Sequence, residues 1–367
     1  MKKLLLFFSI TTLLLTFSTF ARAQTFHTEA LDAYWKMIER LKKGDSLSKE
    51  TWNKFLDLEA NKIYVKNQGF DKNYLERLRK SVEVVYMPQN AEILKKRVEA
   101  IEKDPSTYWL TYKVYVYKKY EKELKEFQAT VGTPQYLATS YKNTFGWLPK
   151  RLQIKEPKIN IYLLGIENDA IAGNSGLVLT LWNLYNADKI QPGGLLGHEM
   201  HHYLRKSFGY QNVAKEDEGL LYFLNVVLNE GSADLIEKPT NIAHNDEIPY
   251  GLQIRDFLLP QADSIVQVAN RNIEEMQASG GKTFKTEKDY RNLVKWTSGH
   301  NPGYFMADII VRNGYRNQLL KNIQNPFQFI QIYNKAAKKD SKNPPLFSDR
   351  SINYIQMFEK KYWKSRS

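Results

Sequence analysis

Pro192-Gly193-Gly194-Leu195-Leu196-Gly197-His198-Glu199-Met200-His201-His202-Tyr203-Leu204-Arg205-Lys206 is the stretch on which the reading of this chain turns. Pro192 suits a helix start, and Leu195, Leu196 and Leu204 give the predicted helix an apolar flank. Four residues along an α-helix advance by about 400°, so His198 and His202 stand roughly 40° apart on one face. Two imidazoles so placed can reach one metal ion. Glu199 lies about 100° from His198, beside such an ion rather than on it. A carboxylate there can accept a proton from metal-bound water. The chain has six histidines, and three of them fall in positions 198–202. A helix that was merely solvated would not concentrate histidine in this way. His201 points away from the shared face and is expected at the surface or in an outer layer.

A catalytic zinc takes a third protein ligand and keeps one position open. Downstream, Gly219 to Ala233 reads as one apolar helix in which Glu230 is the only acid. A lone carboxylate in such a setting is costly unless it is paired or bound to metal. Asp234 lies one turn further on the same face, where it can accept from a ring N–H of His198 and fix its tautomer. Gly231 predicts a close approach of this helix to the histidine helix.

His198-Glu199-Met200-His201-His202 followed by Asn229-Glu230-Gly231-Ser232-Ala233-Asp234 resembles the thermolysin-type gluzincin pair, H-E-x-x-H and then N-E-x-x-[S/A]-D. The resemblance covers about residues 159–235 and extends to a group of exported bacterial zinc peptidases. It implies one Zn²⁺ per chain held by His198, His202 and Glu230, with Glu199 as general base. It also implies Asp234 and Asn229 in outer positions. The loop between the motifs, about Ser207 to Asp217, is longer than in thermolysin itself. In gluzincins an edge strand ahead of the histidine helix pairs with the substrate backbone. Asn174 to Leu181 occupies that place, which makes Asn174, Ser175 and Gly176 substrate-binding candidates. A Tyr or His from the region after the glutamate helix is further implied to stabilise the tetrahedral intermediate. Tyr304 and His300 are the candidates in Ser298–Ala307, where Asn301 could cap a helix with Pro302 at its first position. Alternatively, Gly303 and Ala307 permit close helix packing while Tyr304 fills core.

Upstream, residues 24–145 read as helical. Leu31, Tyr34, Trp35, Ile38 and Leu41 recur at helical spacing, Ser48 is placed to cap a helix entering Trp52 and Phe55, and Trp109 to Phe127 reads as one longer helix. Ile159 to Leu164 and Leu177 to Leu181 are β-prone, with a turn around Gly173–Gly176. The expected fold is α+β and mostly helical. Its zincin-like core would be a small sheet, the helix bearing His198 and the helix bearing Glu230. The expected divisions are a helical N-terminal region (24–145) and a catalytic domain (146–367), the latter with its sheet and histidine helix in 146–206 and a helical part in 207–367.

Lys2 and Lys3, the apolar stretch 4–20 and Ala21-Arg22-Ala23 form a secretory leader with cleavage expected after Ala23, so a secreted or periplasmic protein. A membrane anchor is the rival, but the run is short and broken by Ser and Thr. No later run is long enough to span a bilayer. There is no cysteine, so neither disulfides nor thiolate ligands are available and any metal must use His and carboxylates. The formal charge is +13. Lys and Arg are interspersed with acids, as in Lys118-Lys119-Tyr120-Glu121-Lys122-Glu123, a solvated-helix pattern rather than a nucleic-acid surface. The expected partner is a peptide or protein substrate. A metal-bearing binding protein without catalysis and a zinc amidase acting on cell-wall material are the alternatives.

Overall fold

The structure, a computed structural model, describes residues 26–155, 159–173, 175–207, 209–255, 260–295 and 297–363. The expected leader and Asn174 lie outside them. Helix α1 (Glu29–Lys42) buries Leu31, Tyr34, Trp35, Ile38 and Leu41, the stripe its spacing predicts. Ser48 accepts from the Thr51 amide and opens α2 (Lys49–Leu56). Then come α3 (Glu59–Gln68), α4 (Lys72–Tyr86) and α5 (Ala91–Ile101). The single helix expected after Trp109 is instead two, α6 (Trp109–Lys119) and α7 (Glu121–Val131), which meet at Tyr120. Lys118 and Lys119 end the first while Glu121 and Glu123 begin the second. Each charge thereby sits at the helix pole it stabilises. Helix α8 (Pro134–Phe145) carries Pro134 at its first position behind a Thr133 cap.

Four strands, β1 (Phe26–His27), β2 (Ile161–Leu164), β3 (Ala170–Gly173) and β4 (Gly176–Thr180), form one sheet in the order β1-β2-β4-β3. β1, β2 and β4 run parallel, and β3 returns antiparallel on β4, with Ala170 opposite Leu179 and Gly173 opposite Gly176. The strand expected at the edge, β4, is therefore interior. The hairpin at Gly173–Gly176 folds β3 over its free side, so that β3 is the edge and is only half-buried.

Beyond the sheet lie α9 (Leu181–Ile190), α10 (Gly194–Arg205), α11 (Lys215–Asp234), α12 (Lys238–Ala243), α13 (Ala262–Ala278), α14 (Glu287–Leu293), α15 (His300–Arg312), α16 (Arg316–Lys321), α17 (Pro326–Ala337) and α18 (Asp349–Tyr362). The protein is α+β and mostly helical. No helix among the described residues is long and apolar enough to cross a membrane.

Two main hydrophobic cores organise these elements. One runs from Leu31 through Ile161, Leu163, Leu177 and Leu179 to Leu195, Leu196, Met200 and Leu204. The N-terminal helices thus share a core with the sheet and α10. The other runs from Leu220 on α11 to Tyr362 on α18. The two lobes join between α10 and α11.

Small residues set two helix contacts that matter for the site. On the back of α10, a Cβ at Gly197 would lie 3.2 Å from both Asn143 Cβ and the Ser140 carbonyl of α8. Thr144 of α8 donates to the Gly197 carbonyl at 2.9 Å, and Asn143 donates to the Pro192 carbonyl at 2.9 Å. In the second lobe Gly231 of α11 and Gly303 of α15 face one another, and a Cβ on either would collide with the other's backbone. Gly231 therefore brings α11 against α15, not against the histidine helix as its position in the sequence suggested.

Candidate metal centre

Helix α10 presents His198 and His202 with their Nε2 atoms 3.0 Å apart and their rings nearly perpendicular, at 81°. Glu230, near the end of α11, points its Oε2 at the same place, 3.3 Å from His202 Nε2 and 3.9 Å from His198 Nε2. Ligand atoms around a tetrahedral zinc at about 2.1 Å stand about 3.4 Å from one another, the spacing found among these three. Two imidazole nitrogens and a carboxylate oxygen are also a donor set that suits zinc. The residues present fit the ion that the motif implies. His198, His202 and Glu230 are all inside the joint between the lobes, the first two from one lobe and the third from the other.

The surrounding layer differs in part from expectation. Asn229 donates to Glu230 Oε1 at 3.0 Å and accepts from Arg205 at 2.7 Å. Arg205 is fully buried, and burial lowers its pKa to about 10. It also donates to the Ile323 carbonyl and to Ser207 Oγ, so Glu230 is held through an amide by a cation in the interior. Asp234 does not chiefly serve His198. Its two oxygens receive His300 Nδ1 at 2.9 and 3.1 Å, while His198 Nδ1 stands 3.7 Å away. The physical reason is the Gly231–Gly303 contact, which draws α15 closer to α11 than α10 comes. The carboxylate nearest His198 Nδ1 is Glu237 Oε1, at 3.5 Å. Glu237 is buried, pairs with Lys238 at 2.6 Å and accepts from Asn241. A second grouping of possible ligand atoms, His198, Asp234 and His300, is this outer layer, because His300 occupies both Asp234 oxygens.

Glu199 is buried beside the histidines, and desolvation raises its pKa to about 7. A carboxyl poised there can take up and release a proton near neutral pH. Burial also keeps His198 neutral, with a pKa well below the usual imidazole value. Burial pushes His202 the same way, but the charge and hydrogen bond of Glu230 and the charge of Glu199 outweigh it, and its pKa is raised. For His300, desolvation is overcome by Asp234 and Glu230, and its pKa rises to about 9. Glu230 is in turn held at about 2, its burial offset by His202, His300 and Asn229. Glu230 and Asp234 thus make the pocket a place that favours added positive charge, which a divalent cation would supply in place of protons.

His300 directs Nε2 to within 3.4 Å of Glu230 Oε2. Its helix starts two residues earlier than expected: Gly299, at φ 100°, is the cap, and Asn301 lies inside the first turn. Tyr304 is one turn beyond His300 and buried. Desolvation, then the charges of Asp308, Asp234 and Glu237, push its hydroxyl pKa up. Ser175 is exposed at the hairpin tip, and Gly176 is buried, because a Cβ there would strike the Asn160 carbonyl. For His201 the surface alternative is excluded. It is fully buried, and desolvation lowers its pKa. Sequence reasoning missed Glu237, Arg205 and β3. The sequence carried no periodic signal for Glu237, which lies in the turn after α11.

Fold and site together define an α+β, mostly helical protein with a histidine–histidine–carboxylate cluster at the junction of two lobes. Residues 52–342, spanning both lobes, match the family described as "Putative zinc dependent peptidase (DUF5700)", and the chain belongs to that family. No curated protein and no solved structure matches the chain.

Proposed function

We propose that this chain hydrolyses peptide bonds with one zinc ion held by His198, His202 and Glu230, and with Glu199 as general base. The observation that carries the reading is the convergence of two Nε2 atoms and one Oε2 atom within 3.0 to 3.9 Å, beside a buried carboxyl. Zinc bound there supplies Lewis acidity, polarising a carbonyl and making water acidic enough to lose a proton near neutrality. Glu199 takes that proton and delivers it to the departing amine. His300, fixed through Nδ1 by Asp234, keeps its other nitrogen for the oxygen that gains negative charge, with Tyr304 one turn away on the same helix. Glu237 orients His198, and Asn229 with Arg205 orients Glu230. The open edge of β3 offers backbone groups to an extended peptide. Export after cleavage at Ala23 belongs to the same reading, and a mature protein beginning at Gln24 is its signature.

The test is metal analysis of the purified protein together with cleavage of a peptide library with and without chelator. The parent should carry one zinc and cut peptides. His198→Ala and Glu230→Ala should lose the metal. Glu199→Gln should keep it and lose between about 10² and 10⁴ in turnover. A Glu199→Gln variant as fast as the parent removes the proposed base.

A further inference from the structure

Beside the candidate metal centre a cavity of about 500 Å³ opens between the end of β3 and the end of α10. Ala172 and Gly173 line it on one side, and His202, Lys206, Ser207 and Asn229 on the other. No Asp or Glu lines it among the described residues, and Lys206 is its one side chain of fixed charge. Lys206 makes no ion pair among the described residues, unlike Lys42, Lys54 and Lys125, each of which pairs with a glutamate. Its backbone is unusual as well. Lys206 has φ 54°, the left-handed region that a lysine seldom adopts. Gln324 from the other lobe holds it there, donating to the carbonyl of Arg205 at 2.7 Å and to that of Lys206 at 3.3 Å. Strained positions that the surroundings enforce in this way cluster at ligand-binding sites. The strain ends α10 at Arg205 and sets the lysine at the rim of the cavity, one turn past His202.

We propose that this cavity is a substrate subsite for a carboxylate, with Lys206 as the residue that selects it. The proposal rests on the peptidase reading and adds a substrate class to it. The direction of β3 indicates which part of a peptide is read. Its last residues, Ala172 and Gly173, line the cavity at the end of α10 beside His202 and Lys206, and β3 packs along α10, where Glu199 lies about one turn before His202. A peptide paired antiparallel to β3 therefore carries its amino-terminal half toward the cavity. The carboxylate recognised is then an Asp or Glu side chain on the amino-terminal side of the bond that is cut, and not the chain's own terminus. A cation facing an acidic side chain in a polar, part-exposed cavity is worth about a fivefold preference over the neutral amide.

Two measurements test this. The first profiles, by mass spectrometry, which bonds of a mixed peptide library the zinc-loaded protein cuts. The second measures, by fluorescence anisotropy, binding to the Glu199→Gln protein of labelled heptapeptides that differ only in a central Glu, Gln or Lys. Each heptapeptide is made with a free and with an amidated C-terminus. Acidic residues should be enriched on the amino-terminal side of the cut. The Glu peptide should bind about fivefold tighter than the Gln peptide, whether or not the terminus is amidated. Lys206→Asn, which tolerates the left-handed backbone, should abolish the preference, and Lys206→Asp should turn it toward Lys. A parent that cuts peptides with no acidic preference, or a preference unmoved in both variants, overturns the subsite and leaves the peptidase reading standing. Selective binding of the Glu peptide that both variants alter, in a parent that cuts nothing, upholds the subsite and overturns the peptidase. Binding that requires the free terminus overturns the side-chain assignment, and no binding at all overturns the subsite.

Discussion

The two lobes contribute to the centre in different ways. The first gives His198, Glu199 and His202 from little more than one turn of a single helix, and α8 supports that turn from behind. The second gives Glu230 and Asp234 from α11 and His300 from α15, with Glu237 from the turn after α11. One half of the site is thus a local property of five residues. The other half is a property of how two helices cross. A metal held by both halves would fasten together lobes whose main cores are otherwise separate.

The largest expected effect tests that fastening. Zinc at about a thousandfold excess over its dissociation constant should stabilise the parent by about 4 kcal/mol against urea. Both His198→Ala, in one lobe, and Glu230→Ala, in the other, should lose this gain. If zinc stabilises Glu230→Ala as much as the parent, the second lobe takes no part in binding it.

Next comes the division between the two outer carboxylates. Glu237→Gln should weaken zinc binding about 10- to 100-fold in a chelator competition, because it acts through His198. Asp234→Asn should leave affinity closer to the parent's and act mainly on kcat, through His300. The reverse pattern would return Asp234 to the role the sequence suggested.

Smaller again, Gly303→Ala should destabilise the second lobe by about 1 to 3 kcal/mol in urea denaturation, since the added methyl meets the Val227 carbonyl at 2.6 Å. A neutral result would mean that α11 and α15 can part without cost.

A separate test, of pH dependence, lies in the first lobe, at the start of α10. Asp188 accepts from the Tyr136 hydroxyl and the Gly193 amide, yet burial raises its pKa from 3.8 to about 7. The folded protein then holds a proton that the unfolded chain releases at lower pH. The contribution of Asp188 to stability therefore falls as pH rises from about 4 toward 7 and levels off above. Asp188→Asn cannot ionise and should flatten melting temperature against pH over that window. An unchanged profile would show that Asp188 is already ionised throughout it.

What could be read beforehand follows the same division. The geometry of His198, Glu199 and His202 comes from helical periodicity alone, and Glu230 stood out as the lone acid of an apolar run. The partner of Asp234 was not legible, because it depends on which helix Gly231 meets. Glu237 lies past the end of α11, where periodicity stops being a guide. The edge strand was misplaced because Ala170–Gly173 is short and only half-buried, and its pairing with β4 is a choice between segments rather than a property of either. His201 was open between the surface and an outer layer, and it is the folded chain that covers it.

The meeting of Gly231 and Gly303 has one more consequence. Where side chains separate two helices, the gap can drift as those side chains are exchanged. Here main chain rests on main chain, one residue from Glu230 and three from His300. The interval between the carboxylate and the imidazole is thereby gauged by peptide groups, which no ordinary substitution elsewhere in the lobe can resize.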